Sequence, residues 1–132
     1  MKIKNILKKI VDLLAELLGM KTALLISELK RRKDDKTAVR LMIEIIAEEE
    51  KIDKDLAVRV ALCESNFDVN AKHWNASAGF DRGLYQWNEK YHPEISDETA
   101  YDPELATRAF CRAVKEGHLS WWNASKSCWE AK

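Results

Sequence analysis

Apolar residues recur at steps of three and four through the first half of the chain, and this spacing places them on one face of a helix. It predicts helices over residues 3–18, 21–33, 37–50 and 54–65, with Gly19 ending the first of them. The first 66 residues contain no aromatic side chain, whereas all eleven aromatics lie between Phe67 and Trp129. A chain of 132 residues is about the size of one ordinary domain. We therefore expect a helical scaffold joined to an aromatic-rich half.

The aromatic-rich half begins with turn and strand patterns before helices resume. Turn-forming residues stand among apolar ones between residues 75 and 88, which predicts a small β-hairpin. Pro103 suits the first turn of a helix over about 104–116 that ends at Gly117, and a last short helix covers about 120–129. The predicted fold class is therefore α+β and mainly helical. It comprises an N-terminal amphipathic helical arm over residues 1–36 and one domain over residues 37–132.

Charge is unevenly distributed although the formal net charge is zero. Residues 1–40 hold eleven Lys/Arg and five Asp/Glu, so they carry +6 and the rest of the chain carries −6. A basic arm suits anionic wall polymers, lipid headgroups or nucleic acid. Nucleic acid is the weakest of the three because no nucleic-acid-binding motif accompanies the charge, so no nucleic-acid partner is expected. Membrane association or self-association through residues 1–36 are both open. Because apolar stripes usually pack on protein, we expect this one to pack on the domain or in a helical oligomer.

The start of the chain has some features of a secretory signal but not all of them. The first nine residues are basic, yet Asp12 and Glu16 interrupt the apolar stretch that follows, and no small-residue cleavage site is present. No apolar run approaches the roughly 20 residues needed to cross a bilayer. The sequence therefore predicts neither a clear signal peptide nor a transmembrane anchor, and it leaves the export route open.

The cysteine and histidine positions do not predict a metal site. Cys63, Cys111 and Cys128 match no metal-ligand spacing, and they leave open either one disulfide that includes Cys128 or three buried thiols. His73, His92 and His118 are scattered, with no pair at ligand spacing. We therefore expect no metal and no cofactor.

Two carboxylates stand where a glycosidase needs them. Hydrolysis of a glycosidic bond requires an acid that protonates the leaving oxygen and, usually, a second carboxylate that attacks or stabilises the sugar cation. Here a glutamate at a helix end is followed by an aspartate in the hairpin, 17 residues later. The clustered aromatics also suit a sugar-binding cleft, since aromatic faces pack on pyranose rings. The two segments read Glu64-Ser65-Asn66-Phe67 and Asp81-x-Gly83-Leu84-x-Gln86-x-Asn88.

These segments resemble the active-site region of the chicken-type lysozymes, including the separation between the two carboxylates. They are also similar to goose-type lysozymes and soluble lytic transglycosylases, which share a Glu-Ser pair and a Gly-Leu-x-Gln motif and rely mainly on the glutamate. The resemblance implies a lysozyme-like catalytic domain in the lysozyme superfamily. It covers residues 56–92 well and residues 104–129 loosely.

The resemblance assigns roles by position. It implies that Glu64 is the general acid and Asp81 the nucleophile or electrostatic partner. It implies that the apolar surface of Trp121 keeps the acid protonated, as in the lysozymes. Substrate-binding residues would be Asn75, Gln86, Asn88, Tyr91, His92 and Trp121.

The chain also departs from the lysozyme pattern. The pair before Asp81 is Gly79-Phe80, where chicken-type enzymes commonly carry hydroxyl groups, so some support for an ionised Asp81 is missing. Arg82 is not expected to compensate, because adjacent strand residues point to opposite faces. Ser65 lacks a nearby His-Asp pair and is expected to cap the helix or orient Glu64.

The expected function is a peptidoglycan muramidase that hydrolyses β-1,4 bonds between N-acetylmuramic acid and N-acetylglucosamine. Its partners would be peptidoglycan glycan strands, and its place of action the cell wall, periplasmic or extracellular. One alternative is a lytic transglycosylase that uses Glu64 alone and releases anhydro products. Another is an inactive relative that binds glycan without cleaving it.

Overall fold

The computed structural model describes residues 2–130, so Met1 and residues 131–132, at the ends of the predicted arm and domain, lie outside the description. The chain forms six α-helices, a short 3₁₀ helix and three strands within this range. The fold class is therefore confirmed as mainly helical α+β. The helices are α1 (Lys2–Arg31), α2 (Lys36–Glu49), α3 (Lys54–Ser65), α4 (Asp97–Tyr101), α5 (Pro103–Lys115) and α6 (Lys126–Trp129); the 3₁₀ helix is Leu119–Ser125; the strands are β1 (Lys72–Asn75), β2 (Gly79–Arg82) and β3 (Trp87–Asn88).

Helices α2 and α3 begin and end close to their predicted limits because local side chains cap them. Asp35 accepts hydrogen bonds from the first backbone N–H groups of α2, and Asp53 does the same for α3. Asn66 ends α3 in the left-handed conformation, with φ of 53°. The α3 end that carries Glu64 is therefore fixed by a sharp turn immediately after it.

Helix α1 is continuous through Gly19, so the prediction that Gly19 ends a helix is wrong. A single glycine inside a helix costs only about 1 kcal/mol relative to alanine, and the leucine-rich turns on both sides outweigh that cost. The predicted hairpin is in fact a three-stranded antiparallel sheet in the order β1-β2-β3, and the last predicted helix begins as the 3₁₀ helix before α6.

The sheet is joined to the helices through a buried aromatic group. The Tyr85 ring stacks on Phe110 at 4.3 Å between ring centroids, and its hydroxyl donates to the Ala57 carbonyl of α3 at 2.9 Å. Trp122 Nε1 donates to the Tyr85 carbonyl at 2.9 Å. These contacts hold the strands, α3, α5 and the 3₁₀ helix in one arrangement, which positions the walls of the cleft described below.

Helix α1 has two parts with different surroundings. Ile26 is 2% exposed and Leu29 is 8% exposed, and they belong to the same core as α2 and α5. The preceding part, residues 2–25, which we term the exposed segment, carries large apolar side chains that face solvent. The expectation that this stripe packs on the domain is therefore wrong for residues 2–25. No helix within residues 2–130 has the length and apolar content that crossing a membrane requires.

Candidate active site

A cleft of about 900 Å³ lies between the end of α3, the sheet and the 3₁₀ helix. Its walls include every residue that the sequence nominated for catalysis or substrate binding. This convergence joins residues up to 57 positions apart in the sequence, from Glu64 to Trp121. The nominated residues that line the cleft are Glu64, Asn75, Asp81, Gln86, Asn88, Tyr91, His92 and Trp121.

Glu64 occupies the last turn of α3 and is partly buried. Burial raises the pKa of its carboxyl group to about 7, the negative charge of Asp81 adds to this, and the Ser125 hydroxyl partly opposes it. A large fraction of Glu64 therefore remains protonated at neutral pH, where an ordinary glutamate would be ionised. The Ser65 hydroxyl donates to the Ala61 carbonyl at 3.0 Å, so it serves the helix end.

Asp81 lies on the central strand, paired with His73 on one side and Asn88 on the other. Asn88 Nδ2 donates to Asp81 Oδ1 at 2.8 Å. The orientation of this amide is fixed because its Oδ1 accepts the backbone N–H groups of Lys90 and Tyr91, each at 2.9 Å. Asn88 therefore presents a donor to Asp81, as a carboxylate requires.

Arg82 is turned away from Asp81, to the buried face of the strand. Its Nε donates to the Trp87 carbonyl and its Nη1 to Asp97, both at 2.9 Å. The guanidinium group therefore joins β2 to β3 and α4, where it contributes to the structure of the sheet. The alternation of side chains along the strand accounts for this placement.

Two of the nominated polar residues have their amide groups engaged in turns. Gln86, at φ of 53°, donates through Nε2 to the Ala71 and Gly83 carbonyls. Asn75 Oδ1 accepts from the Ser77 backbone N–H and hydroxyl. Both residues line the cleft and shape its loops, and their direct contact with sugar stays a prediction.

Aromatic rings form one wall of the cleft. Trp121 is 46% exposed, stacks on His118 at 4.2 Å with an interplanar angle of 1°, and lies 4.6 Å from the His92 ring. Tyr91 is 63% exposed nearby. Exposed aromatic rings of this kind provide flat apolar surfaces for sugar faces. The expected action of Trp121 on the acid stays a prediction, because the shift of Glu64 arises from its burial as a whole.

The structure also places residues at the site that sequence reasoning did not nominate. Trp87 and Trp122 line the cleft, and Ser125 acts on Glu64. Both tryptophans are buried, and the sequence does not distinguish them from the other aromatic residues. Ser125 carries no sequence signal at all, because only the tertiary fold brings it to α3. Residues 2–130 contain no group of three or more His, Cys, Asp or Glu side chains arranged to hold a metal ion.

A disulfide between Cys63 and Cys128 joins α3 to α6, and Cys111 is a buried free thiol. Of the two cysteine arrangements that the sequence left open, the structure therefore has the one with a bridge to Cys128. Cys63 immediately precedes Glu64, and Arg59 Nε also donates to the Trp129 carbonyl at 2.9 Å. The C-terminal segment that contacts the acid is thus fastened to α3 at two points.

The fold and cleft are those of a lysozyme-like protein, and comparison with protein families agrees. A family model described as a lysozyme-like domain matches residues 47–123. The chain therefore belongs to the lysozyme-like domain family. No curated protein and no solved structure matches the chain.

Proposed function

We propose that this protein cleaves the β-1,4-linked glycan of peptidoglycan as a retaining muramidase, at the cell wall in the periplasm or outside the cell. The observation that carries the proposal is a glutamic acid with a pKa of about 7 in the same cleft as a hydrogen-bonded aspartate. An acid of this strength holds its proton near neutral pH and still releases it to a leaving group. The family match supports the peptidoglycan substrate.

In this mechanism Glu64 donates its proton to the glycosidic oxygen as the bond breaks. Asp81, held by Asn88, stabilises the positive charge that develops at the anomeric carbon or attacks that carbon to form a glycosyl intermediate. Glu64, now ionised, takes a proton from water, which attacks the anomeric carbon and regenerates both side chains. The wall formed by Tyr91, His92 and Trp121 would pack against the sugars.

A lytic transglycosylase is the second candidate, with a specific observation in its favour. The residues before Asp81 are Gly79 and Phe80, which bring no hydroxyl donor toward the carboxylate. In this reaction Glu64 protonates the leaving oxygen and then removes the proton from the muramic acid's own hydroxyl, which closes an anhydro ring. Asp81 is dispensable for that chemistry.

Digestion of purified peptidoglycan, with products identified by mass spectrometry, tests the proposal. We expect reducing muropeptides from the wild type, a loss of 100-fold or more for Glu64→Gln, and a loss of similar size for Asp81→Asn. Asp68→Asn is the matched control, because Asp68 lines the same cleft and its carboxylate accepts the Asn70 N–H in a turn.

Three outcomes separate the candidates. Anhydro products with only a modest loss for Asp81→Asn would make the protein a transglycosylase. Glycan binding without product from the wild type would make it a non-catalytic relative. Equal loss for Asp68→Asn and Glu64→Gln would contradict the assigned acid.

A further inference from the structure

The exposed segment presents an apolar surface that the described structure leaves uncovered. Twelve large apolar side chains between Ile3 and Leu25 are each at least 45% exposed. Contiguous exposed apolar surface of this extent marks a binding site for a membrane or another protein. Packing against the domain within residues 2–130 does not cover this surface.

The apolar surface is wide. With about 3.6 residues per turn, these side chains cover roughly half of the helix circumference, from Leu13 and Met20 at one edge to Val11 and Leu18 at the other. The seam of a two-stranded coiled coil is a narrower stripe, which one partner helix covers. A half-cylinder suits a helix that lies flat at the boundary between water and lipid.

The charges are arranged for an anionic surface. Lys2 and Lys9 lie at one edge of the apolar surface and Lys4 lies next to the other, whereas Asp12 lies opposite its centre. The first nine residues hold four lysines and no acidic residue. Lysines at the edges of an apolar face can extend their ammonium groups to headgroup phosphates while their stems stay on the apolar side.

The apolar surface also has an end. Lys21 interrupts it near its centre line, so the uninterrupted part covers residues 3–20. Beyond that point the helix enters the domain, where Ile26 and Leu29 are buried and Lys30 Nζ lies 2.8 Å from Asp102. Lys21 therefore marks the place where the helix would leave the lipid boundary.

We propose that the exposed segment binds flat to anionic lipid membranes through residues 3–20 and holds the lysozyme-like domain at the membrane surface. The edge lysines contact lipid phosphates and the apolar half-cylinder enters the boundary between headgroups and acyl chains. The continuous helix transmits this attachment to the domain, because it is packed into the core at its C-terminal end.

Co-sedimentation of the full-length protein with vesicles tests the proposal. We expect binding to vesicles of phosphatidylcholine with 30% phosphatidylglycerol, weaker binding to pure phosphatidylcholine, and loss of the difference in high salt. Leu14→Glu combined with Leu17→Glu should weaken binding at least tenfold. The control is Ala15→Glu combined with Ala23→Glu, which adds the same charge on the polar side and should retain most binding.

A second pair of double variants tests the lysines at the edges of the apolar surface. Lys4→Gln with Lys9→Gln should weaken binding to the anionic vesicles, while Lys33→Gln with Lys36→Gln, outside the exposed segment, should change it little. Tryptophan near-ultraviolet circular dichroism checks that each variant keeps its domain, whose tryptophans all lie beyond residue 73.

Failure of the wild type to bind anionic vesicles would overturn the proposal, as would equal effects of the two glutamate pairs. A stable oligomer in analytical ultracentrifugation that the Leu14/Leu17 pair dissolves, without vesicle binding, would assign the surface to another copy of the chain. None of these measurements depends on glycan cleavage, so they stand apart from the proposed activity.

Discussion

The proton on Glu64 is the property of a single residue on which the proposed chemistry depends most. An ordinary glutamate, with a pKa near 4.5, would be ionised at neutral pH and unable to protonate a leaving oxygen. Here partial burial at the end of α3 raises the pKa to about 7, the hydroxyl of Ser125 partly opposes the shift, and the charge of Asp81 adds to it. The tertiary structure thus raises the pKa of this acid, although the position of Glu64 can be read from the sequence.

The first prediction concerns pH. Because the protonated form of Glu64 is the active acid, kcat/KM for peptidoglycan digestion should fall as the pH rises through about 7 and decline about tenfold per unit well above it. The measurement is initial rates of digestion between pH 5 and 9, with circular dichroism at each pH to confirm that the protein stays folded. A rate that is constant from pH 6 to 9 would contradict the assignment of Glu64.

The second prediction concerns Asn88 as a positioning residue. Asn88→Ala removes the donor that lies 2.8 Å from Asp81 and should lower kcat roughly 10- to 100-fold with a smaller effect on KM. If Asn88 acts through Asp81, the same change should have little further effect in an Asp81→Asn background.

Asn123→Ala, at an exposed position outside the cleft, is the control for Asn88→Ala. A loss from Asn88→Ala that is undiminished in the Asp81→Asn background would show that Asn88 affects activity by another route, such as the integrity of the β2–β3 pair.

At the scale of elements, the sequence predicted those features that local interactions determine. Helices α2 and α3 were predicted within a residue or so because Asp35 and Asp53 cap them from neighbouring positions. The predicted hairpin contains β2 and β3, but the prediction lacks β1, which begins before residue 75 and belongs to the sheet only through its pairing with β2, with His73 opposite Asp81. Gly19 predicts a helix end, but α1 continues through it because the helix-forming residues on both sides outweigh the cost of one glycine.

The candidate site divides in the same way. Its two carboxylates stand in short motifs that can be read directly, whereas Ser125 and the Cys63–Cys128 bridge belong to the tertiary structure. Three cysteines alone allowed several arrangements, and only the proximity of α6 to α3 selects one. The sequence therefore identifies Glu64 as the acid, and the tertiary fold identifies the groups that shift its pKa.

The third prediction concerns the element that the disulfide fastens. Replacing Cys63 and Cys128 by serine removes a link between residues 65 positions apart and should lower the free energy of unfolding by about 4 kcal/mol. It should also loosen the 3₁₀ helix against α3, so Glu64 should become more solvated and the high-pH limit of activity should move to lower pH.

Urea unfolding followed by tryptophan fluorescence, together with the pH profile of digestion, measures both effects of the double serine variant. Cys111→Ala, which changes a buried free thiol in α5, is the control for loss of a cysteine as such and should leave the pH profile in place. An unchanged pH profile in the double serine variant would show that the bridge stabilises the fold without adjusting the acid.

At the scale of the whole molecule, the exposed segment and the lysozyme-like domain differ in charge and packing, and helix α1 connects them. The basic exposed segment has its apolar surface uncovered, and the lysozyme-like domain carries the cleft. The sequence placed the boundary between arm and domain at residue 36. We propose a boundary near residue 25, because Ile26 and Leu29 are part of the domain core.

The last prediction follows from that boundary. A chain of residues 26–132 should unfold at the same urea concentration as the full protein and digest solubilised glycan at the same rate, because it keeps Ile26, Leu29 and the Lys30–Asp102 ion pair. A chain of residues 37–132 loses all three, together with the Asp35 cap of α2, and exposes the surfaces of α2 and α5 that they cover, so its free energy of unfolding should fall by about 2–5 kcal/mol. Urea unfolding of the three chains measures the difference. If the chain of residues 37–132 is as stable as the chain of residues 26–132, the boundary lies at residue 36 and the last turns of α1 pack on the domain without stabilising it. If the chain of residues 26–132 is less stable than the full protein, the exposed segment stabilises the fold from outside its core.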